Sequence, residues 1–207
     1  IRAVGISEPK RRLEQYPHEL SGGMRQRIVI AIALSCNPEL LFADEPTTAL
    51  DVTVQAQILN LLADQQRDRD MAMVMITHDL GVMAGRSDSI AVMYAGQVVE
   101  QAPTAELFAN VRMPYTEALL AAIPRMEGET HVRLQSIAGR PPNLGAMPHG
   151  CRFAPRCAYT QPRCIEEPPP LVMDEATSHA YRCWFPIDAP RRRDEAPTAA
   201  GERTVAG

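Results

Sequence analysis

Apolar residues along this chain fall into short runs of two kinds. MRQRIVIAIAL, from Met24 to Leu34, has strong helix formers and almost no breakers, and its second half is apolar on most sides, which predicts a buried helix rather than an amphipathic one. Leu40-Leu41-Phe42-Ala43 is a short apolar run of buried-strand type, ended by Asp44, Glu45 and Pro46. The same pattern returns from Met71 to Ile76, followed by Thr77 and His78. Between the two, VTVQAQILNLLADQQRD places Val54, Ile58, Leu61 and Leu62 at helical spacing, so this helix should pack against the sheet. An α/β fold with a mainly parallel sheet is the expectation.

Upstream, Ile1 to Glu19 reads as a short helical or turn segment, with His18 a polar surface residue. Downstream, Ser89–Tyr94 and Gln97–Glu100 flank Ala95-Gly96 as a hairpin whose glycine supplies the turn. Thr104 should cap a short helix, Ala105–Ala109, and Pro114 opens another that runs to Ile123 and closes at Pro124. Composition changes near Arg125. From Pro141 to Pro190 there are ten prolines and few long apolar runs, so this segment cannot build much of a core and something else must order it. The charged tail from Arg191 to Gly207 should be disordered.

The formal net charge of −4, with no long basic face, argues against a nucleic-acid partner. The longest clean apolar run, Ile28–Leu34, is far below the roughly 18 residues of a membrane span, so membrane contact must come through partners. The chemistry gathers between Leu20 and His78. Ser21 reads as an N-cap, and Gly22 and Gly23 let an anion approach backbone amides at a positively polarised helix start. Asp44 and Glu45 follow a strand, at the edge where open α/β sheets place ligands. There one acid can hold Mg²⁺ through water while the other orients or deprotonates an attacking water. His78 should sit at the same edge, and Asp51 is a helix N-cap that can also contact an opposed subunit.

Of five cysteines, Cys36 reads as a small buried hydrophobe. Cys151, Cys157, Cys164 and Cys183 lie in the proline-rich segment at spacings C-x5-C-x6-C-x18-C. Four thiolates in a reducing compartment suggest a metal or cluster, and the spacing alone does not name it, since neither the C-x2-C pairs of zinc ribbons nor the common ferredoxin spacing is present. His149 and His179 are alternative ligands, and Arg152, Arg156, Arg163 and Arg182 stand near in sequence, either to offset cluster charge or as solvated surface groups.

Ser21-Gly22-Gly23-Met24 resembles the signature loop of ATP-binding-cassette (ABC) ATPases, although the commonest form has glutamine at Met24. Leu40 to Glu45 resembles their Walker B strand with its adjoining glutamate, Ala49-Leu50-Asp51 their D-loop, and His78 their switch histidine. The stretches MYAGQVVEQAP and ELFANVRMPYTEALLAAIP resemble the end of this domain in dipeptide and oligopeptide importers. Gly150 to Cys157, G-C-R-F-x-P-R-C in pattern, resembles their carboxyl-terminal extension, which favours a [4Fe-4S] cluster at the four cysteines, with zinc as the alternative. The resemblance implies an incomplete ABC-type nucleotide-binding domain, similar to P-loop NTPases, with a small irregular cysteine-rich extension. The divisions would be the ATPase portion over 1–124, the four-cysteine extension over 125–190 and the tail over 191–207.

It also implies a function: an ATP-hydrolysing motor subunit of a peptide importer, at the cytoplasmic face of the membrane, using ATP and Mg²⁺. Its partners would be a second ATPase subunit, identical or not, transmembrane permease subunits and, indirectly, an extracytoplasmic peptide-binding protein. In such a dimer Ser21, Gly22, Gly23 and Met24 serve the partner's nucleotide, whereas Asp44, Glu45 and His78 serve this subunit's own. No G-x-x-x-x-G-K-[ST] loop occurs in the chain, and the segment before Leu20 is too short for the missing strand, loop and helix. The expectation is therefore the carboxyl-terminal portion of an ABC subunit, inactive alone. Two other readings compete. A DNA-repair or chromosome-maintenance ATPase lobe would need heptad-patterned helices that are lacking here, and a metal-binding regulatory module on an ATPase remnant would need decay that intact Asp44, Glu45 and His78 do not show.

Overall fold

The computed structural model describes residues 1–123, 137–143 and 145–187. Pro124 and the tail expected to be disordered lie outside them. The chain divides into two compact units, Ile1–Asp79 and Leu80–Gly207.

The first unit contains α1 (Pro9–Arg12), α2 (Gly22–Ala33), β1 (Leu40–Asp44), α3 (Val52–Arg69) and β2 (Ala72–Ile76), with short 3₁₀ turns at Arg2–Val4 and Pro17–Glu19. β1 and β2 pair in parallel from Leu40 opposite Ala72 to Asp44 opposite Ile76, and α3 is their crossover. The core joins Val4, Ile6, Ile30, Leu34, Ile58, Leu62 and Met71. The buried positions of α3 are Ile58, Leu59, Leu62 and Gln65, so its helical spacing holds while Leu61 is only partly covered.

Two burial expectations fail. Val29 and Ile32 of α2 are 57% and 67% exposed, so that helix is covered on one side only, where the 3₁₀ turn and α3 pack. On the sheet, Leu40, Phe42, Val74 and Ile76 are 41–65% exposed, because side chains alternate across a strand and no described element covers that face. Cys36, expected inside, is exposed in the turn after α2.

The second unit runs α4 (Leu80–Met83), β3 (Ser89–Tyr94), β4 (Gln97–Pro103), α5 (Thr104–Ala109), α6 (Pro114–Ala121), α7 (Pro162–Glu166), β5 (Val172–Asp174) and β6 (His179–Tyr181). The hairpin is as expected: Ala95 and Gly96 take φ of 48° and 78°, the double left-handed turn that matches strand twist. Thr104 does not cap α5. It is the first helical residue, and its hydroxyl donates to Ser87 O at 2.6 Å. The four strands form one antiparallel sheet in the order β3-β4-β6-β5. A mainly parallel sheet is thus not what the described residues form, because only β1-α3-β2 supplies the long crossover that parallel pairing needs.

The proline-rich segment is not an appendage without a core. Its Phe153 is 2% exposed and meets Tyr94 edge-on at 5.3 Å and Tyr115 at 5.2 Å, while Ile90, Val92, Leu107 and Met113 complete the cluster. β6 pairs with β4 through Glu100 and Tyr181, and Arg182 N donates to Val99 O at 2.8 Å. Burial and strand pairing order residues that sequence composition alone left without a core.

Candidate functional site

Site residues gather in two clefts of the first unit. The first opens at the carboxyl ends of β1 and β2, with a volume of about 310 Å³, and is lined by Glu45, Thr47, Thr48, Gln55, Thr77, His78 and Asp79. Glu45 N donates to Ile76 O at 2.9 Å, which anchors the end of one strand to the end of the other. Its side chain then receives two donors. His78 Nδ1 lies 3.2 Å from Oε1 and Thr48 Oγ1 lies 2.8 Å from Oε2. These bonds, Thr48 first and His78 second, hold the Glu45 carboxyl below its ordinary value. An ionised carboxylate only accepts, so the imidazole must carry its proton on Nδ1. Asp44, the last residue of β1, pairs with Ile76 through the strand ladder and is exposed, and its side chain makes no hydrogen bond or ion pair among the described residues.

The second cleft, of about 340 Å³, is lined by Ser21, Gly22, Gly23, Met24, Arg27, Asp51 and Val54. Ser21 Oγ accepts from Met24 N at 3.3 Å and Asp51 Oδ1 from Val54 N at 2.9 Å, so both residues are N-caps, of α2 and α3. Gly22 and Gly23 also do something that their sequence did not announce. A Cβ on Gly23 would stand 2.7 Å from Val54 Cγ1, and one on Gly22 would stand 3.4 Å from Leu50 Cδ2. The glycine turn is therefore a packing joint between α2 and α3 as well as an amide-bearing helix start. Glycine to alanine in a helix ordinarily stabilises by about 0.5–1 kcal/mol. Here Gly23→Ala should instead destabilise by about 1–3 kcal/mol, and Val54→Ala in the same chain should return most of the loss, as read by denaturant unfolding.

In the second unit Cys151, Cys157, Cys164 and Cys183 line one small apolar cavity together with Phe153 and Trp184. Cys151 N donates to Cys164 O at 2.7 Å, and a Cβ on Gly150 would stand 2.3 Å from that carbonyl, so this close approach requires glycine. Burial pushes the Cys183 thiol up to about 12 and raises those of Cys151 and Cys157. Among the described residues, no group of three or more His, Cys, Asp or Glu is placed to hold a metal ion. Zinc and iron–sulfur expectations thus gain a shared cavity but no metal centre. His179 corrects the ligand list outright: it is 1% exposed, with Nε2 at 2.8 Å from Glu100 Oε1 and Nδ1 at 3.6 Å from Glu106 Oε1. His149 Nδ1 bonds Glu166 O at 3.0 Å. Nor do the arginines act alike. Arg163 stacks on Trp184 at 3.5 Å, and Arg182 donates to Val98 O at 2.9 Å.

Because a thiolate is the reactive form, and a thiol at about 12 is ionised to only about 10⁻⁴ at pH 8, reduced, metal-free protein should take up iodoacetamide at exposed Cys36 well before Cys183. Peptide mass spectrometry reads the order. Equal rates at the two positions would mean the cavity is open.

The sequence compares accordingly. The ABC transporter family matches residues 1–48, and the family described as "Oligopeptide/dipeptide transporter, C-terminal region" matches residues 99–164. The chain is a homologue of the ATP-binding proteins of ABC transporters. More narrowly, its relatives at about half identity are ATP-binding proteins of peptide, oligopeptide and dipeptide transporters. The oligopeptide transport ATP-binding protein OppD of Bacillus subtilis is 49% identical over 191 residues, covering 92% of this chain and 53% of that protein. The dipeptide transport ATP-binding protein DppD of Escherichia coli is 49% identical over 188 residues, covering 91% of this chain and 57% of its own length. The chain thus spans little more than half the length of these relatives.

Proposed function

We propose that this chain carries the water-activating and signature elements of an ATPase that drives a peptide-importing ABC transporter. The observation that carries the reading is the contact of Glu45 with His78 at the mouth of a parallel strand pair, the edge at which α/β sheets bind ligands. The relatives at about half identity support peptides as cargo.

Each group then has a task. Glu45, held ionised, accepts a hydrogen bond from the attacking water and fixes its direction. The Thr48 and His78 hydrogen bonds lower the proton affinity of this carboxylate, which favours orienting a water over taking its proton. His78 spends Nδ1–H on Glu45, so donation to a γ-phosphate oxygen uses Nε2–H and requires the imidazolium, for which the carboxylate is the counter-ion. Asp44, exposed at the end of β1 with its carboxylate unbonded among the described residues, would hold Mg²⁺ through water, an ion that supplies charge neutralisation for the phosphates. Ser21, Gly22, Gly23, Met24 and Asp51, in a separate cleft, are assigned to the nucleotide of a facing subunit. Two such subunits would work beneath permease subunits at the cytoplasmic face of the membrane. No described helix is long and apolar enough to cross a membrane. In the second unit, a [4Fe-4S] cluster at Cys151, Cys157, Cys164 and Cys183, with zinc as the alternative, stays the finer reading on the family resemblance alone, since the four thiols share a cavity but are not placed to hold a metal ion among the described residues. Iron, zinc and sulfide content after anaerobic purification is the measurement.

The function is tested by ATP turnover and peptide uptake in the assembled transporter reconstituted in vesicles, with the 207-residue chain alone as the comparison expected to be inactive. Uptake that does not depend on this subunit's ATP turnover would overturn the reading.

A further inference from the structure

Thr48 is the least obvious member of the first cleft. It lies in the turn after β1, three residues beyond Glu45, and its Oγ1 sits 2.8 Å from Glu45 Oε2, a shorter contact than that of His78 to the other oxygen. The turn that carries it is tightly fixed. Thr48 N donates to Glu45 O at 3.1 Å, Leu50 N to Thr47 O at 3.3 Å, and Glu45 and Ala49 hold left-handed φ of 42° and 63° that non-glycine residues seldom adopt. Such backbone persists where surrounding bonds over-determine it. Here those bonds deliver one hydroxyl to one carboxylate oxygen.

The consequence is geometric. A glutamate fixed at one oxygen can still swing about its terminal torsion, which is soft for carboxylates. Held at both oxygens by donors from two different segments, its plane is set, and each oxygen keeps a second lone pair for water. We propose that Thr48 is a positioning residue for the proposed hydrolysis: its hydroxyl, with His78, fixes the plane of the Glu45 carboxylate so that a free lone pair faces the attacking water. The proposal rests on the reading of Glu45 as the water-orienting group, and it extends that role to a side chain whose own chemistry is inert.

Thr48→Val keeps the β-branched shape and removes the donor, whereas Thr48→Ser keeps the donor. In the reconstituted transporter, Thr48→Val should lower kcat about tenfold, the size of one hydrogen bond to a charged group, with KM for ATP unchanged, and Thr48→Ser should restore kcat. In the 207-residue chain with labelled glutamate, Thr48→Val should move the Glu45 carboxyl carbon resonance at fixed pH and leave the remaining glutamates in place. Wild-type kcat and an unmoved resonance in Thr48→Val would overturn the proposal, as would failure of Thr48→Ser to rescue. Glu45→Gln separates the two levels. Full turnover in Glu45→Gln refutes the hydrolytic reading itself, whereas lost turnover there with a silent Thr48→Val refutes only the positioning role.

Discussion

Glu45→Gln in the assembled transporter is expected to lower ATP turnover by at least about 10²-fold, within the 10²–10⁴-fold range of a positioned acid–base side chain, while ATP affinity changes little. The reason lies in the two donors that meet this carboxylate. Thr48 Oγ1 and His78 Nδ1 both point hydrogens at it, at 2.8 Å and 3.2 Å. An amide turns one of the two accepting atoms into a donor, so one bond must break or rearrange, and the negative charge that partners His78 is gone. Turnover from phosphate release and affinity from nucleotide titration are the measurements. An effect on affinity alone would assign Glu45 to binding rather than to water.

Glu100→Ala should be the most destabilising single change in the second unit, at about 3–5 kcal/mol, the cost of breaking a buried pair by removing one partner. Glu100 is fully buried on β4. Its Oε1 accepts from Arg112 N at 2.5 Å, Met113 N at 3.2 Å and His179 Nε2 at 2.8 Å. Alanine leaves the buried Met113 amide, the part-buried Arg112 amide and a buried imidazole without their acceptor, and it opens a cavity where β4, β6 and the start of α6 meet. Trp184, the single tryptophan, lies in this unit and reports its unfolding by fluorescence. A loss under about 1 kcal/mol would mean that water or a rearranged neighbour replaces the carboxylate. Leu107→Ala, a purely apolar core truncation at a residue with no exposure, should cost about 2–5 kcal/mol and serves as the control for cavity formation.

How much of this was legible in the chain follows from the range of each interaction. Ser21 capping Met24, Asp51 capping Val54 and the Ala95-Gly96 turn are contacts between residues one to three positions apart, and backbone chemistry fixes them wherever the chain is placed. The two strand runs and the helical spacing of α3 are equally local, and their boundaries agree with the pattern to within a residue or two. The motifs carried the family because they too are short, and the comparisons bear out that resemblance.

What needed the tertiary structure is everything that depends on distance along the chain. Glu45 and His78 are brought together across 33 positions by the parallel register of β1 and β2, and Glu100 and His179 across 79 by the pairing of β4 with β6. Sequence patterning offered His179 as a metal ligand because a histidine near cysteines has no sign marking which partner it will meet, and only strand pairing turned it toward Glu100. Burial was equally non-local. The run from Met24 to Leu34 and the two strands read as fully buried, but whether an apolar face is covered depends on a neighbouring layer that no hydrophobic pattern contains. The sequence by itself therefore determined most of the elements, the caps at Ser21 and Asp51 and the family resemblance, through interactions spanning a turn or less. Only the fold decided which of those residues touch, because contact between distant segments is set by pairing and packing rather than by residue type.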